Sequence, residues 1–497
     1  MKKNLLAFFA LASAMFAGCN PEENQPLTSV YLSSFSILQK DNKLIDKDYT
    51  FSNLDRTSTI NITLPNTVNP DALESIVFRY STSPEDAIVS VEETVLDNAI
   101  DTLSFVEPVE LRLSAGEDLW AYTVYIKIAE SAKWAVVATT PITDTLYTTP
   151  TVTYDQSADK FIIMDALRSK TGNNYPVYYE FSGNRFSEIK VISEVVGKKG
   201  LAVDVLNGVP YFAYTDESAA TKNRVTVAKV ENGTTTLIGE QGAIAKVNTV
   251  YPAGLIAESN SSIWYASTAN EAYDGTTRRL LNLAKYDGTV WKNATAIEGR
   301  ASDAYGFGEY IKKVGNVTYL LVCNQNKFST SIYKLENGTW STVYESLVPE
   351  VPEKITPSTS TISSFQHFAV AADGTIYLCA QVQNEESQFN LCIQKYNAAD
   401  NKLELVSWIP QSSSTKGGIF PYMELDNNGN PIVVFQGSND TRCFAATVNK
   451  DTKAFEVNPV HNHEADDLPK VIVDKHGTPY IFLLDKNEDR IVVCKPL

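Results

Sequence analysis

The chain has 497 residues, more than one domain usually holds, and a formal net charge of −17 at pH 7. So acidic a chain lacks the basic face that displaces counterions from a phosphate backbone, which excludes nucleic acid as a partner class. Hydrophobic residues at 43% suffice for a core, and 25 tyrosines among scattered turn residues predict an all-β chain.

The first stretch, "MKKNLLAFFALASAMFAGC" (1–19), has two lysines, a short apolar run and small residues before a cysteine. It reads as an export signal, because the apolar run is too short to span a bilayer well. Ala17–Gly18–Cys19 resembles the lipobox of bacterial lipoproteins, with Phe16 where that box usually carries Leu. The resemblance implies that Cys19 is lipidated and that lipid chains anchor the protein to a membrane without spanning it. A plain secretory signal cut elsewhere is the alternative. Residues 20–26 form a polar tether. Its Glu22 and Glu23 resemble the surface-export tag of Bacteroidetes lipoproteins, which implies the outer membrane or cell surface. No later stretch is apolar enough for a transmembrane helix.

Residues 27–130 hold alternating segments: "SVYLSSFSIL", "TSTINITLP", "SIVFRYS", "PVELRLSAG" and "LWAYTVYIKI". In the last, Trp120, Tyr122, Val124, Ile126 and Ile128 fall on alternate positions, as a half-buried strand requires. Short strands at this spacing predict an immunoglobulin-like sandwich, serving as a spacer. "LSSFSI", "DTLSFVEPVELRL" and "AYTVYIKI" resemble the N-terminal region of a family of uncharacterised Bacteroidetes surface lipoproteins. That family combines an Ig-like domain of unknown function with a kelch-like propeller. The resemblance implies a surface lipoprotein and no known activity.

From residue 131 onward one phrase recurs. "VTYDQSADKFIIMD" (152–165), "LAVDVLNGVPYFAY" (201–214), "LIAESNSSIWYAS" (255–267), "YIKKVGNVTYLLV" (310–322), "AVAADGTIYLCA" (369–380), "MELDNNGNPIVVF" (423–435) and "VIVDKHGTPYIFLL" (471–484) each read strand, turn, strand. Asn-Gly and Asp-Gly pairs favour two-residue turns, because glycine accepts positive φ. A second hairpin phrase follows six copies, including "VTVAKVENGT" and "SIYKLENGTW". Two hairpins make the four-stranded blade of a β-propeller. The seventh unit stops one strand short, and "KWAVVATTP" (133–141) can supply it, closing the ring. Seven blades across 131–497 give about 52 residues each. Kelch blades carry a Gly-Gly doublet after the second strand, and these do not. "YDGTVW" and "ENGTW" are near the Asp-box turns of sialidases but lack the leading Ser, so a plain turn with a packing Trp is the simpler reading.

Loops between hairpins are long and share one face, the default place for function. Tyr251, Arg300, Tyr305, Phe307, Phe365, His367, Phe420 and Tyr422 stand where innermost strands begin. They are candidate ligand-binding residues that suit a sugar ring or a peptide; the alternative is that the aromatics plug the channel. Arg224, Arg279, Arg442 and Arg490 recur before third strands and are expected to pair with a neighbouring blade's carboxylate. In "HNHEADD", His461 and His463 share one side of an extended segment, where Glu464 or Asp466 could complete a metal site; a solvated loop is the simpler reading. The five cysteines after Cys19 lie in apolar runs as buried thiols do; a Cys379–Cys392 bridge is feasible but not favoured. No cofactor motif and no nucleophile–base pair stands out. The expectation is a non-catalytic, membrane-anchored recognition protein for a glycan or a surface protein. The alternatives are a polysaccharide hydrolase or lyase acting at the channel mouth, and a scaffold of a surface complex.

Overall fold

The computed structural model describes residues 30–45, 48–52, 54, 57–65, 68, 70–129, 133–140, 150–168, 174–194, 201–216, 224–244, 254–268, 281–293, 310–324, 329–351, 357–384, 389–409, 418–437, 440–465 and 468–497. They form two compact units, Met1–Ile128 and Ala129–Leu497. Among the described residues both are β-sheet, with one short 3-10 turn at Pro70–Glu74. Among the described residues no helix is long and apolar enough to cross a membrane.

In the first unit, Tyr31–Ile37 lies between Tyr49–Ser52 and Arg79–Ser83 in a three-stranded sheet. A five-stranded sheet holds Thr59–Leu64, Asp118–Ile128, Val109–Ala115, Ile88–Val91 and Thr94–Val95 in that order. Leu32, Phe35 and Ile37 of the first sheet and Leu111, Leu113, Tyr122 and Val124 of the second share one core. The alternation in "LWAYTVYIKI" is therefore the inward face of a sandwich, with Tyr122, Val124 and Ile126 buried. Tyr122 meets its polar need inside that core: its hydroxyl donates to the Leu54 carbonyl (2.7 Å) and accepts the Leu32 N–H (3.2 Å).

The second unit is a propeller-like succession of sheets. Thr151–Asp155, Ala202–Leu206, Gly254–Ser259, Tyr310–Val314, Pro357–Val370, Gly418–Leu425 and Lys470–Val473 are the first strands of seven sheets, taken here as sheets one to seven. Each first strand packs against those of the sheets before and after it, and the seventh also meets the first. The second strands are buried on both faces, which is why they read as apolar runs rather than alternations. In "FIIM", Phe161 and Ile163 pack with Phe482 and Ile491 of sheet seven, whereas Ile162 and Met164 pack with Phe212 and Ala228 of sheet two. Fully burying one such side chain contributes about 1.5–3 kcal/mol. Two fourth-strand tryptophans pack on the preceding sheet: Trp291 donates to the Ile238 carbonyl (2.6 Å), and Trp340 lies edge-on to Trp264 at 5.7 Å.

The turns of the repeat differ in width. Asn207–Gly208 and Gly315–Asn316 are two-residue turns as expected. Sheets five to seven use a wider turn, closed by the N–H of Ala371, Asp426 or Asp474 donating to a carbonyl four residues on. Gly374 and Gly477 there hold φ of 86° and 81°, a region that penalises any side chain. The five cysteines among the described residues are buried. Cys379 stands opposite Ile393 in the ladder, so Cys379 and Cys392 project to opposite faces and are not bridged.

Trp134–Thr139 pairs antiparallel with Arg490–Pro496, completing the seventh sheet from the start of the unit. Trp134 is buried with Val434, Cys443, Val471 and Val492, drawn from sheets six and seven. Trp134→Ala should therefore cost about 3–5 kcal/mol of unfolding free energy, measurable as a shift of the denaturant midpoint.

Candidate functional site

Strand direction sets the two ends of the ring. Each first strand ends at a short turn, and the longer connections leave from the opposite ends of the sheets. A cavity of about 630 Å³ is lined by the short-turn ends, including Asp155–Ser157, Asn207–Gly208 and Val314–Gly315. It thus lies at the end opposite the one where the sequence placed a ligand.

Its polar wall is built from strands far apart in sequence. Lys312 pairs with Glu424, from sheet four to sheet six, and Lys313 pairs with Asp204, from sheet four to sheet two. Adjacent residues on one strand thus reach in opposite directions round the ring. Asp204 is further fixed by the Ala257 N–H at 2.7 Å. Asp155 is buried, and its Oδ1 accepts from the Ser157 N–H (3.0 Å), the Ser157 hydroxyl (2.6 Å) and the Ala158 N–H (3.3 Å). Its Oδ2 is a buried acceptor without a hydrogen bond.

The deep wall is Tyr422. The His367 ring lies 3.8 Å from it, centroid to centroid, and the Lys312 and Lys470 ammonium groups stand 4.6 and 5.2 Å from its centroid. His367 is fully buried, and its Nδ1 accepts the Met423 N–H at 3.0 Å. Burial, and then the charges of Lys312 and Lys470, hold the imidazole far below its ordinary pKa and therefore neutral. Burial pulls Lys312 down, but Glu424 and Tyr422 outweigh it and raise its pKa. Lys470 forms no ion pair among the described residues, and burial, with the like charge of Lys312, pushes it down to about 8.

Of the residues singled out by sequence, Tyr422 and His367 come together, but as a packed plug rather than an open platform. Phe365 and Phe420 lie on the strands Pro357–Val370 and Gly418–Leu425, with side chains outside the described residues. Cys19, Tyr251, Arg279, Arg300, Tyr305 and Phe307 also lie outside them. Among the recurring arginines, two meet a carboxylate of their own sheet where one of a neighbouring sheet was expected. Arg442 pairs with Asp440 (2.6 Å) and Arg490 with Glu488 (3.3 Å), each two residues back in its own sheet. Lys312, Lys313, Asp204, Glu424 and Asp155 were missed. The signal for them was charge inside otherwise apolar first strands.

A second polar cluster lies at the other end of the sheets. Asp485 Oδ2 meets His461 Nε2 at 3.0 Å and His463 Nδ1 at 2.6 Å. Burial raises the Asp485 carboxyl, but the two histidine hydrogen bonds outweigh it and leave it below its ordinary range. Glu464 is turned to Lys486 (3.5 Å), and Asp466 lies outside the described residues.

No family model matches the chain, and no curated protein does. The solved structures to which it is similar include a variant of the Aleuria aurantia lectin in complex with Fucalpha1-6GlcNAc, at 10% identity and a TM-score of 0.39 over 63% of this chain and 96% of that one. They also include the Penicillium chrysogenum alpha-L-arabinanase complexed with arabinobiose, at 14% identity and 0.39 over 74% and 98%. A third is the polysaccharide lyase Uly1, at 9% identity and 0.43 over 72% and 90%.

Lys470 gives a pH test of this packing. Its folded pKa of about 8 lies below the unfolded value of 10.5, so below pH 8 the full penalty of burying the ammonium is present. Stability should rise as pH passes from 8 to 10.5. Lys470→Met should flatten that rise and stabilise the protein at pH 7 by on the order of 1–3 kcal/mol, read from urea unfolding at several pH values.

Proposed function

We propose that this chain is a carbohydrate-recognition protein that holds a neutral saccharide unit in the turn-end cavity of a seven-bladed β-propeller. The observation that carries this reading is the cavity's polar wall. Two lysines face three carboxylates, Asp155, Asp204 and Glu424, around a space of about 630 Å³, within the ~300–1,000 Å³ of small-molecule sites. Sugar hydroxyls both donate and accept. They can donate to the carboxylates that line the cavity and accept from the ammonium groups without displacing either ion pair. A carboxylated or sulfated ligand meets an excess of negative charge. In the same reading the sandwich of the first unit is an Ig-like spacer, and the protein is exported and held at the outer membrane or cell surface by lipid on Cys19. It would then be a member of the Bacteroidetes surface lipoproteins that its N-terminal region resembles.

A glycan array with the full chain in detergent should show binding to neutral glycans, with acidic ones at least tenfold weaker. Asp155→Asn should weaken the best ligand about tenfold by placing a donor in the acceptor's site. Absence of any glycan above background, or binding indifferent to both Asp155→Asn and Lys313→Met, would sink the reading.

Three carboxylates lining one cavity also favour a second reading, a polysaccharide hydrolase or lyase. Asp204 and Glu424, however, are each committed to a lysine, which leaves neither free to protonate a leaving group. Incubation of the full chain with the bound glycan should therefore release no new reducing ends. Release that is abolished by Glu424→Gln would establish the enzyme instead.

A further inference from the structure

His461 and His463 alternate along the extended outer strand Phe455–Glu464, so both imidazoles leave the same side of it. Asp485 ends the second strand of sheet seven. A bridge between Ala465 and Asp485, and the Lys486 N–H donating to the Glu464 carbonyl at 3.0 Å, lock the two segments together. Asp485 is buried, and its Oδ1 is taken by the N–H groups of Asn487 (2.9 Å) and Glu488 (3.3 Å). That fixes the carboxylate plane and leaves Oδ2 to the histidines. The two nitrogens and the oxygen all lie within 4.8 Å of one another.

We propose that His461, His463 and Asp485 bind a divalent transition-metal ion, zinc being the best match to two imidazoles and one carboxylate. Such an ion sits about 2.0–2.2 Å from each donor, which sets neighbouring donors about 3.4 Å apart. Asp485 Oδ2 and His463 Nδ1 need part by only about 0.8 Å to reach that spacing. Each imidazole then carries its N–H on the ring nitrogen that does not face the ion, and the ion takes the place of the two hydrogen bonds to Asp485. Three protein ligands leave one position open. That position has room, because His461 and His463 line a cavity of about 440 Å³ with Trp134, Val460 and Leu497. The ligands come from sheets six and seven, and the cavity wall from the strand that closes the ring. The ion would therefore join the elements at the closure, where its binding free energy adds to folding.

Titration of the full chain with Zn²⁺, after treatment with a chelator, should show one site by calorimetry. Saturation should raise the melting temperature by about 1–3 °C at 100-fold excess over Kd. Co²⁺ should give the intense visible bands of a tetrahedral site. His463→Gln, at a side chain 40% exposed and so tolerant of change, should weaken binding at least tenfold and remove the bands. Asp485→Asn should do the same, and Glu464→Gln should change neither. Failure of the unaltered chain to bind either metal, or binding unaffected by His463→Gln, would overturn the proposal.

Discussion

The second unit depends on one constraint: its last sheet is completed by a strand from its beginning. Three strands from the C-terminal end, Lys470–Val473, Pro479–Asp485 and Arg490–Pro496, would leave an unpaired edge. Trp134–Thr139 fills it. The pairing joins segments more than 350 residues apart; the Ile491 N–H donating to the Thr140 hydroxyl spans 351. So long a loop is costly to close, and the return is spread over the buried residues between every pair of neighbouring sheets.

Closure also makes the cavity. Lys312 and Glu424 are 112 residues apart, and Lys313 and Asp204 are 109 apart. They meet because first strands converge on one axis, which concentrates their side chains in a small, poorly hydrated space. Charge there is balanced, titrated away or held at a cost. Lys312 and Lys313 are balanced by carboxylates, His367 is neutral, and Lys470 is depressed to about 8. The same crowding turns Tyr422 from a platform into a wall.

Much of the architecture was legible because it is local. The turn pairs, the two-hairpin unit and the apolar second strands each follow from contacts within some 20 residues. The need for a closing strand followed from counting strands in the last unit. Local reading failed where a partner lies across the ring or in the next sheet. Asp485 stands 22 residues beyond His463 and is indistinguishable in sequence from any carboxylate at a turn. Arg442 and Arg490 failed in the opposite sense, because each meets a carboxylate two residues away in sequence.

By itself the sequence determined an all-β chain of repeated hairpins, since period, turn residues and apolar runs act over short distances. Only the tertiary structure decided which polar side chains share a space. Inner-strand positions look alike in each repeat, and the ring sets Lys312 against Glu424, buries His367 behind Tyr422 and brings Asp485 to two histidines. A side chain's chemistry depends on its nearest charges and on its access to water, and in a closed ring both are set by residues from other sheets.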